Sequence, residues 1–304
     1  MMKRGARIFR FYFSYKLFIF LMIMGGFPCL VISQEFERAP LPKVKLITEW
    51  VQLNGNKTAK KGMMYRFDRQ GNLVSYQEAG QKGYPGTIAK IDYDRLGRMT
   101  MKQVAYGYNN TIANYAYKKN YFVEEIEFKD SRYKKFHYHL KGDDLLELKT
   151  FIANYDTDYK YQIFERTVFA YDRKKRLKTE TLFNHWNVRD QQVKPDAKKT
   201  QYEYVGNSKN LKQIKEFDYR GKLNNLITFT YDKQGKLLEK KVDHLNGHLE
   251  TTTYRYQNGK LWTEVFDDGQ LVITKIYKKN RLIRKRKKWN GVKEEIIDFQ
   301  YTFY

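Results

Sequence analysis

Among its 304 residues the chain has a single cysteine, Cys29. It lies in a leader expected to be removed, so the mature chain has no disulfide, although its compartment would permit one. Stability must then come from burial and strand pairing. No nucleophile elbow, Gly-rich phosphate loop or His-Glu-x-x-His string is present. That removes the local signatures of the common hydrolases and nucleotide enzymes, while leaving open a triad scattered along the chain. No segment holds a sustained helical period, and residues 188–198 leave room only for a brief helical turn. Acidic residues are the minority: 34 stand against 58 Lys and Arg, for a formal charge of +24.

The leader explains part of that charge. Lys3, Arg4, Arg7, Arg10 and Lys16 lead into an apolar run over residues 17–32, broken only by Gly25, Gly26 and Pro28. Val31 and Ser33 offer small or medium side chains where a signal peptidase reads. The layout is that of a secretory signal peptide, residues 1–33, cut after Ser33. A retained anchor is the alternative, although the run is near the lower limit for a span (~17 residues). Lipidation of Cys29 is disfavoured because Pro28 stands where a small residue is wanted. Loss of five basic residues lowers the charge from +24 to +19, and no span remains. An exported protein so charged, whether periplasmic, on the outer surface or secreted, attracts lipid headgroups, acidic polysaccharide or extracellular DNA. Intracellular nucleic acid is not an expected partner.

What the chain has in abundance is a phrase: aromatic-x-Tyr-Asp, a few polar residues, Gly, a basic residue, Leu. Residues 229–237, Phe-Thr-Tyr-Asp-Lys-Gln-Gly-Lys-Leu, are the clearest copy, and residues 65–73 and 91–99 are others. Such self-similarity means an array of one small unit. In the last third the closing Leu recurs at 211, 223, 237, 249, 261, 271 and 282, a step of one strand plus one turn. Ile227, Phe229 and Tyr231 alternate with Thr228 and Thr230, as on a half-buried strand. Strands after each Leu alternate less cleanly. Asp68 with Gly71, Asp94 with Gly97 and Asp232 with Gly235 read as turns, Asp accepting backbone bonds and Gly taking positive φ. Gly259 and Gly269 mark two more. The turn at Asp172 lacks glycine and is expected to be looser. Copies degrade between residues 100 and 200, and the polar stretch 187–199 with Pro195 reads as a surface loop.

The phrase resembles the YD repeat of Rhs-type and teneurin-type secreted proteins, with residues 94–99 nearly matching its Tyr-Asp-x-x-Gly-Arg-Leu core. Residues 254–282, with Asn258-Gly259-Lys260-Leu261 and Asp268-Gly269-Gln270-Leu271, resemble MORN-variant repeats. The resemblance is to the repeat alone and covers about residues 63–304. It implies an all-β fold in which tandem β-hairpins form an extended, twisted or spiralling antiparallel sheet. Large YD-repeat proteins use such a sheet as a shell around a toxin. The expected organisation is a leader (1–33), an entry segment (34–62) and a repeat domain (63–304). A stacked array has exposed edges, and Arg281, Arg284, Lys285, Arg286, Lys287 and Lys288 would protect the one near the chain end.

Chemistry-bearing residues are sparse. His137 with His139 and His244 with His248 are close pairs, but no carboxylate or cysteine spacing completes a metal site around either. Asp143-Asp144 and Asp267-Asp268 fall in predicted turns, where Asp serves the backbone. No cofactor, metal or catalytic residue is expected. The aromatics carry more information. Trp50, Trp186, Trp262 and Trp289 interleave with basic residues, a pairing that suits sugar rings and acidic groups. Trp186 and Trp289, beside turns or loops, are expected to be exposed. The candidate ligand-binding set is Trp186, Trp262, Trp289, Arg284, Arg286 and Lys288. The expectation is a non-enzymatic envelope or secreted protein that binds polysaccharide or another anionic surface. Alternatives are a scaffold or protein-interaction module and, third, a glycan-active enzyme.

Overall fold

The computed structural model describes residues 44–53, 58–78, 86–106, 109–118, 121–128, 133–141, 144–153, 162–184 and 197–304. The leader, Trp186 and most of the loop expected at 187–199 lie outside these residues. The described chain is all-β, with no helix among these residues. The first ten strands are β1 (Val44–Leu53), β2 (Lys60–Phe67), β3 (Leu73–Glu78), β4 (Ile88–Tyr93), β5 (Met99–Tyr106), β6 (Asn109–Tyr117), β7 (Tyr121–Phe128), β8 (Tyr133–Lys141), β9 (Asp144–Ala153) and β10 (Gln162–Tyr171). The second ten are β11 (Leu177–Asn184), β12 (Ala197–Tyr204), β13 (Leu211–Phe217), β14 (Leu223–Tyr231), β15 (Leu237–Asp243), β16 (Leu249–Gln257), β17 (Lys260–Asp267), β18 (Leu271–Lys278), β19 (Arg281–Trp289) and β20 (Lys293–Phe303).

Each strand pairs antiparallel with the next, and β20 pairs back onto β1, from Val44 opposite Phe303 to Leu53 opposite Glu295. The sheet is therefore a closed up-and-down barrel of 20 strands. This corrects the extended or spiralling sheet expected from the repeats. β1, the strand that closes the ring, lies within residues 34–62, the expected entry segment. Closure removes the edges that the basic series was expected to protect.

Twenty strands at ~4.8 Å spacing give a perimeter of roughly 95 Å, too wide for side chains to fill as they fill an eight-stranded barrel. Burial is accordingly regional. One apolar cluster joins β1–β4 to β19 and β20 through Ile47, Tyr65, Tyr76, Ile91, Ile297 and Phe299. A second joins β7–β10 through Phe122, Tyr138, Leu148 and Phe169. Along β11–β18 the buried apolar residues, among those described, are only Tyr202, Ile214 and Val242. By strand alternation these residues all lie on one face, which is the inner wall.

The repeated phrase has a mechanical reading. Asp94 Oδ1 accepts the backbone N–H groups of Leu96 and Arg98, and Asp232 Oδ1 those of Gln234 and Lys236. Gly235 takes φ 78° and donates its N–H to the Asp232 carbonyl. The turn at Asp172 is not looser. Lys175 adopts φ 58° and makes the same bond to the Asp172 carbonyl, so a lysine occupies the left-handed region glycine fills elsewhere. Tyr231 then pairs with Leu237 while Thr230 pairs with Glu239, which leaves Leu238 as a bulge. The same shift follows Tyr93, Tyr171, Tyr204, Tyr256 and Tyr277. One extra residue after each Leu is why those strands alternate poorly in sequence.

Neighbouring hairpins lock through the same residues. The Tyr204 hydroxyl donates to the Leu177 carbonyl (2.9 Å), Tyr256 to Leu237 (3.0 Å) and Tyr301 to Leu282 (2.7 Å). Tyr93, Tyr117 and Tyr171 do likewise to Leu73, Met99 and Leu145. The basic residue before Leu covers the next tyrosine: the Arg98 and Arg176 guanidinium carbons each lie 4.5 Å from the ring centres of Tyr117 and Tyr204. Burial pushes the Tyr117 phenol up to about 12, against Arg98, which keeps it a donor. These six tyrosines thus grip the strand before their own, forming a tyrosine girdle around one end of the barrel. At the seam, the Tyr304 hydroxyl bonds the Phe67 carbonyl.

Candidate functional site

Below the girdle the inner wall carries carboxylates held by phenols. Glu49, 2 % exposed, accepts from Tyr65. Glu124 accepts from Tyr115 and Tyr138, and Glu180 from Tyr202. Burial pushes the Glu124 carboxyl up, opposed by its two phenol bonds. Such carboxylates are braced structural acceptors, each in its own hydrogen-bond set rather than paired across a cleft.

The outer wall differs. Lys90, Lys135, Lys149, Lys199, Lys215 and Lys241 all alternate with inner-wall residues and face outward. His137 and His139 are also outward, on β8. Glu147 lies opposite His139, 3.4 Å from its Nδ1, and is also held by Arg166 (2.5 Å) and Lys149 (3.3 Å). Burial alone would raise the Glu147 carboxyl, but the bonds from Arg166 and Lys149 hold it below its ordinary range.

Strand register assembles a row across the outer wall of β16–β20, β1 and β2. Arg255 is opposed by Thr263 and the bulged Trp262, then come Ile276, Arg284, Asp298, Trp50 and Lys61 in sequence. Trp262 is 46% exposed and Trp50 38%. Four strand spacings, about 19 Å, separate β17 from β1. Between the two indoles Arg284 holds Asp298 in a two-bond pair (2.6 and 3.1 Å), which keeps the guanidinium above its ordinary range. In the neighbouring rows Arg286 lies 3.2 Å from Glu294, and Lys288 is exposed. Exposed pairs of this kind open at little cost.

The structure therefore brings Trp262, Arg284, Arg286 and Lys288 onto one face. Trp289 goes the other way. Its register with Lys293 and Leu271 sets it half-buried on the inner wall, beside Lys287. Sequence reasoning placed Trp289 by its nearness to a turn and passed over Trp50. The Trp50 signal was its place in β1, legible only once β1 is known to close the ring. At the end away from the girdle, Glu250 approaches His244 and His248, completing a trio the sequence spacing did not reveal.

No protein family and no curated protein matches this chain. Among solved structures, a porin-like protein from Bacteroides uniformis is similar at 9% identity and TM-score 0.38, over 86% of this chain and 99% of that one. A porin-like protein from Bacteroides vulgatus is similar at 11% identity and TM-score 0.32, over 85% and 98%. The Tc holotoxin pore of Photorhabdus luminescens is similar at 12% identity and TM-score 0.33, over 82% of this chain and 16% of that one. Likenesses this slight carry over no ligand and no activity.

Proposed function

We propose that the chain is an exported, non-enzymatic β-barrel of the cell envelope, surrounded by water, that binds an acidic polysaccharide across the outer wall of β16–β20, β1 and β2. The row from Trp262 to Trp50 carries this reading. Two exposed indoles give flat faces for sugar rings, and the cations between and beside them meet carboxylate or sulfate groups. A closed ring makes a stiff platform, so binding costs little ordering. The YD-type phrases serve as the fastening of that platform.

Outward charge supports a water-facing wall. A lysine on the lipid face of a spanning barrel costs about 2–4 kcal/mol at the bilayer midplane. Lys90, Lys135, Lys149, Lys199, Lys215 and Lys241 spread that cost around the ring. The leader and the excess of 58 basic over 34 acidic residues fit an anionic partner outside the cytoplasm.

The test is retention of the chain on an immobilised acidic polysaccharide, against a neutral glucan, as salt is raised. The expected result is salt-sensitive retention on the acidic matrix, weakened at least tenfold in Trp262→Ala and Trp50→Ala. Retention that ignores both indoles, or none at low salt, rejects the proposal.

A further inference from the structure

The trio at the β15–β16 turn lies on the inner rim, at the end away from the girdle. The turn is tightly specified. His244 donates its backbone N–H to the His248 carbonyl (3.0 Å), and Asp243 and Asn246 accept from Leu245 and His248. Its geometry stacks the two imidazoles, with ring centres 5.2 Å apart and planes at 28°. Both Nε2 atoms point at one carboxylate oxygen: Glu250 Oε1 lies 2.9 Å from His244 Nε2 and 3.9 Å from His248 Nε2. One atom from each of the three residues falls within 4.8 Å of the others.

Hydrogen-bond logic points to a cation there. Asn225 donates its Nδ2 to Glu216 (2.8 Å), which fixes Asn225 Oδ1 as the atom 3.0 Å from His244 Nδ1. An amide oxygen only accepts, so His244 Nδ1 carries a proton. In the neutral ring Nε2 is then a bare lone pair, yet it sits 2.9 Å from a carboxylate oxygen, a second acceptor. Two acceptors at that distance need a shared proton, on the ring or on the carboxyl, or a metal ion between them. The second imidazole turned to the same oxygen favours the metal, because it adds a ligand a proton would not require. Tetrahedral zinc with bonds of ~2.0 Å sets its ligand atoms roughly 3.3 Å apart, a value that 2.9 and 3.9 Å bracket. Asn225, itself held by Glu216, supplies the outer hydrogen bond that orients a metal-binding histidine.

We infer that His244, His248 and Glu250 form a binding site for a divalent transition-metal ion of the zinc type, with a fourth position open to water. The ion ties the β15–β16 turn to β14 through Asn225, in the stretch of the barrel where burial is thinnest. It is a fastening for the end the tyrosines do not reach.

The test is uptake of Zn²⁺ alone by the chelator-stripped chain, measured by equilibrium dialysis and by calorimetry, with thermal midpoint as a second readout. The expected result is one equivalent bound per chain and a raised midpoint. His248→Ala and Glu250→Gln each weaken uptake at least tenfold, and Asn225→Ala roughly tenfold or more. His248 is exposed on the turn, so its variant is expected to fold, and circular dichroism checks this. Should His244→Ala fail to fold, the other two variants decide the matter. No uptake at saturating Zn²⁺, or uptake equal in wild type and the His248→Ala, Glu250→Gln double variant, overturns the inference and leaves a shared proton as the bridge.

Discussion

The two ends of the barrel are built on different terms. At the girdle end, the connections from even- to odd-numbered strands are nearly all short turns, most with the same bulge. Six tyrosines there bond the carbonyl that opens the preceding strand. At the far end no such ladder is seen among the described residues, and the connections range from short turns, one of them at Asp218–Lys222 with the same Asp-Gly bonding and a register shift, to stretches outside those residues. The lesson is that a wide barrel with a thin core is held as a hoop is held, at one rim. Each link is worth little by itself, but each is made between neighbours, as in other repeat arrays.

Breaking a link tests that contrast. Tyr204→Ala removes a ring under Arg176 and a bond to the Leu177 carbonyl, and is expected to cost about 2–3 kcal/mol in urea unfolding. Leu249→Ala at the far end, where the side chain is 50% exposed, is expected to cost no more than about 0.5 kcal/mol. Equal losses would dissolve the distinction between the ends. Tyr204→Phe isolates the hydroxyl and should cost about 1 kcal/mol. Lys175→Gly should do the reverse of most glycine substitutions. Relief of the left-handed strain is worth about 1 kcal/mol or a little more, so its unfolding midpoint should rise.

Acid titration separates the turns from the inner wall by sign. At Asp94, slight burial raises the carboxyl, but bonds from Arg98 and Leu96 outweigh it and hold the group low. Its stabilisation is present above the ordinary aspartate range and lost as pH falls through the folded value. Glu124 is held high by burial. Its contribution is present below the ordinary glutamate range and lost as pH rises through the folded value. Asp94→Asn should therefore flatten the acid limb of the stability profile, and Glu124→Gln the decline as pH rises above the ordinary glutamate range. Parallel urea titrations over the acid range measure both. An Asp94→Asn profile as steep as wild type would remove the turn carboxylates from the acid response.

Much of the girdle could be read from the chain alone, because Tyr, Asp, Gly, the basic residue and Leu each have a job within one hairpin or its neighbour. Local chemistry leaves a local trace. Closure left none. β1 carries no phrase, and its match to β20 is a pairing over some 250 residues of sequence between strands with ordinary alternation. The outer row was half visible. Arg284, Arg286 and Lys288 share a face by simple period two, whereas Trp262 joins them through a bulge and Trp50 through the seam. Trp289 was misplaced because nearness to a turn says nothing of which wall a side chain faces. Lys175 shows the converse limit. A turn can keep its shape without glycine when Asp172 and Arg176 supply the remaining bonds. Glu250 escaped notice because its approach to His244 depends on how the turn folds, not on spacing.

Everything rests on the joining of the first strand to the last. Gln52 on β1 lies opposite Ile296 on β20, within the Cα range a disulfide spans. With Cys29 replaced, the Gln52→Cys, Ile296→Cys chain should form an intramolecular disulfide under mild oxidation, seen as a monomer of faster non-reducing migration and as the crosslinked peptide pair by mass spectrometry. Free thiols in the folded monomer, or crosslinks only between chains, would contradict the closed ring.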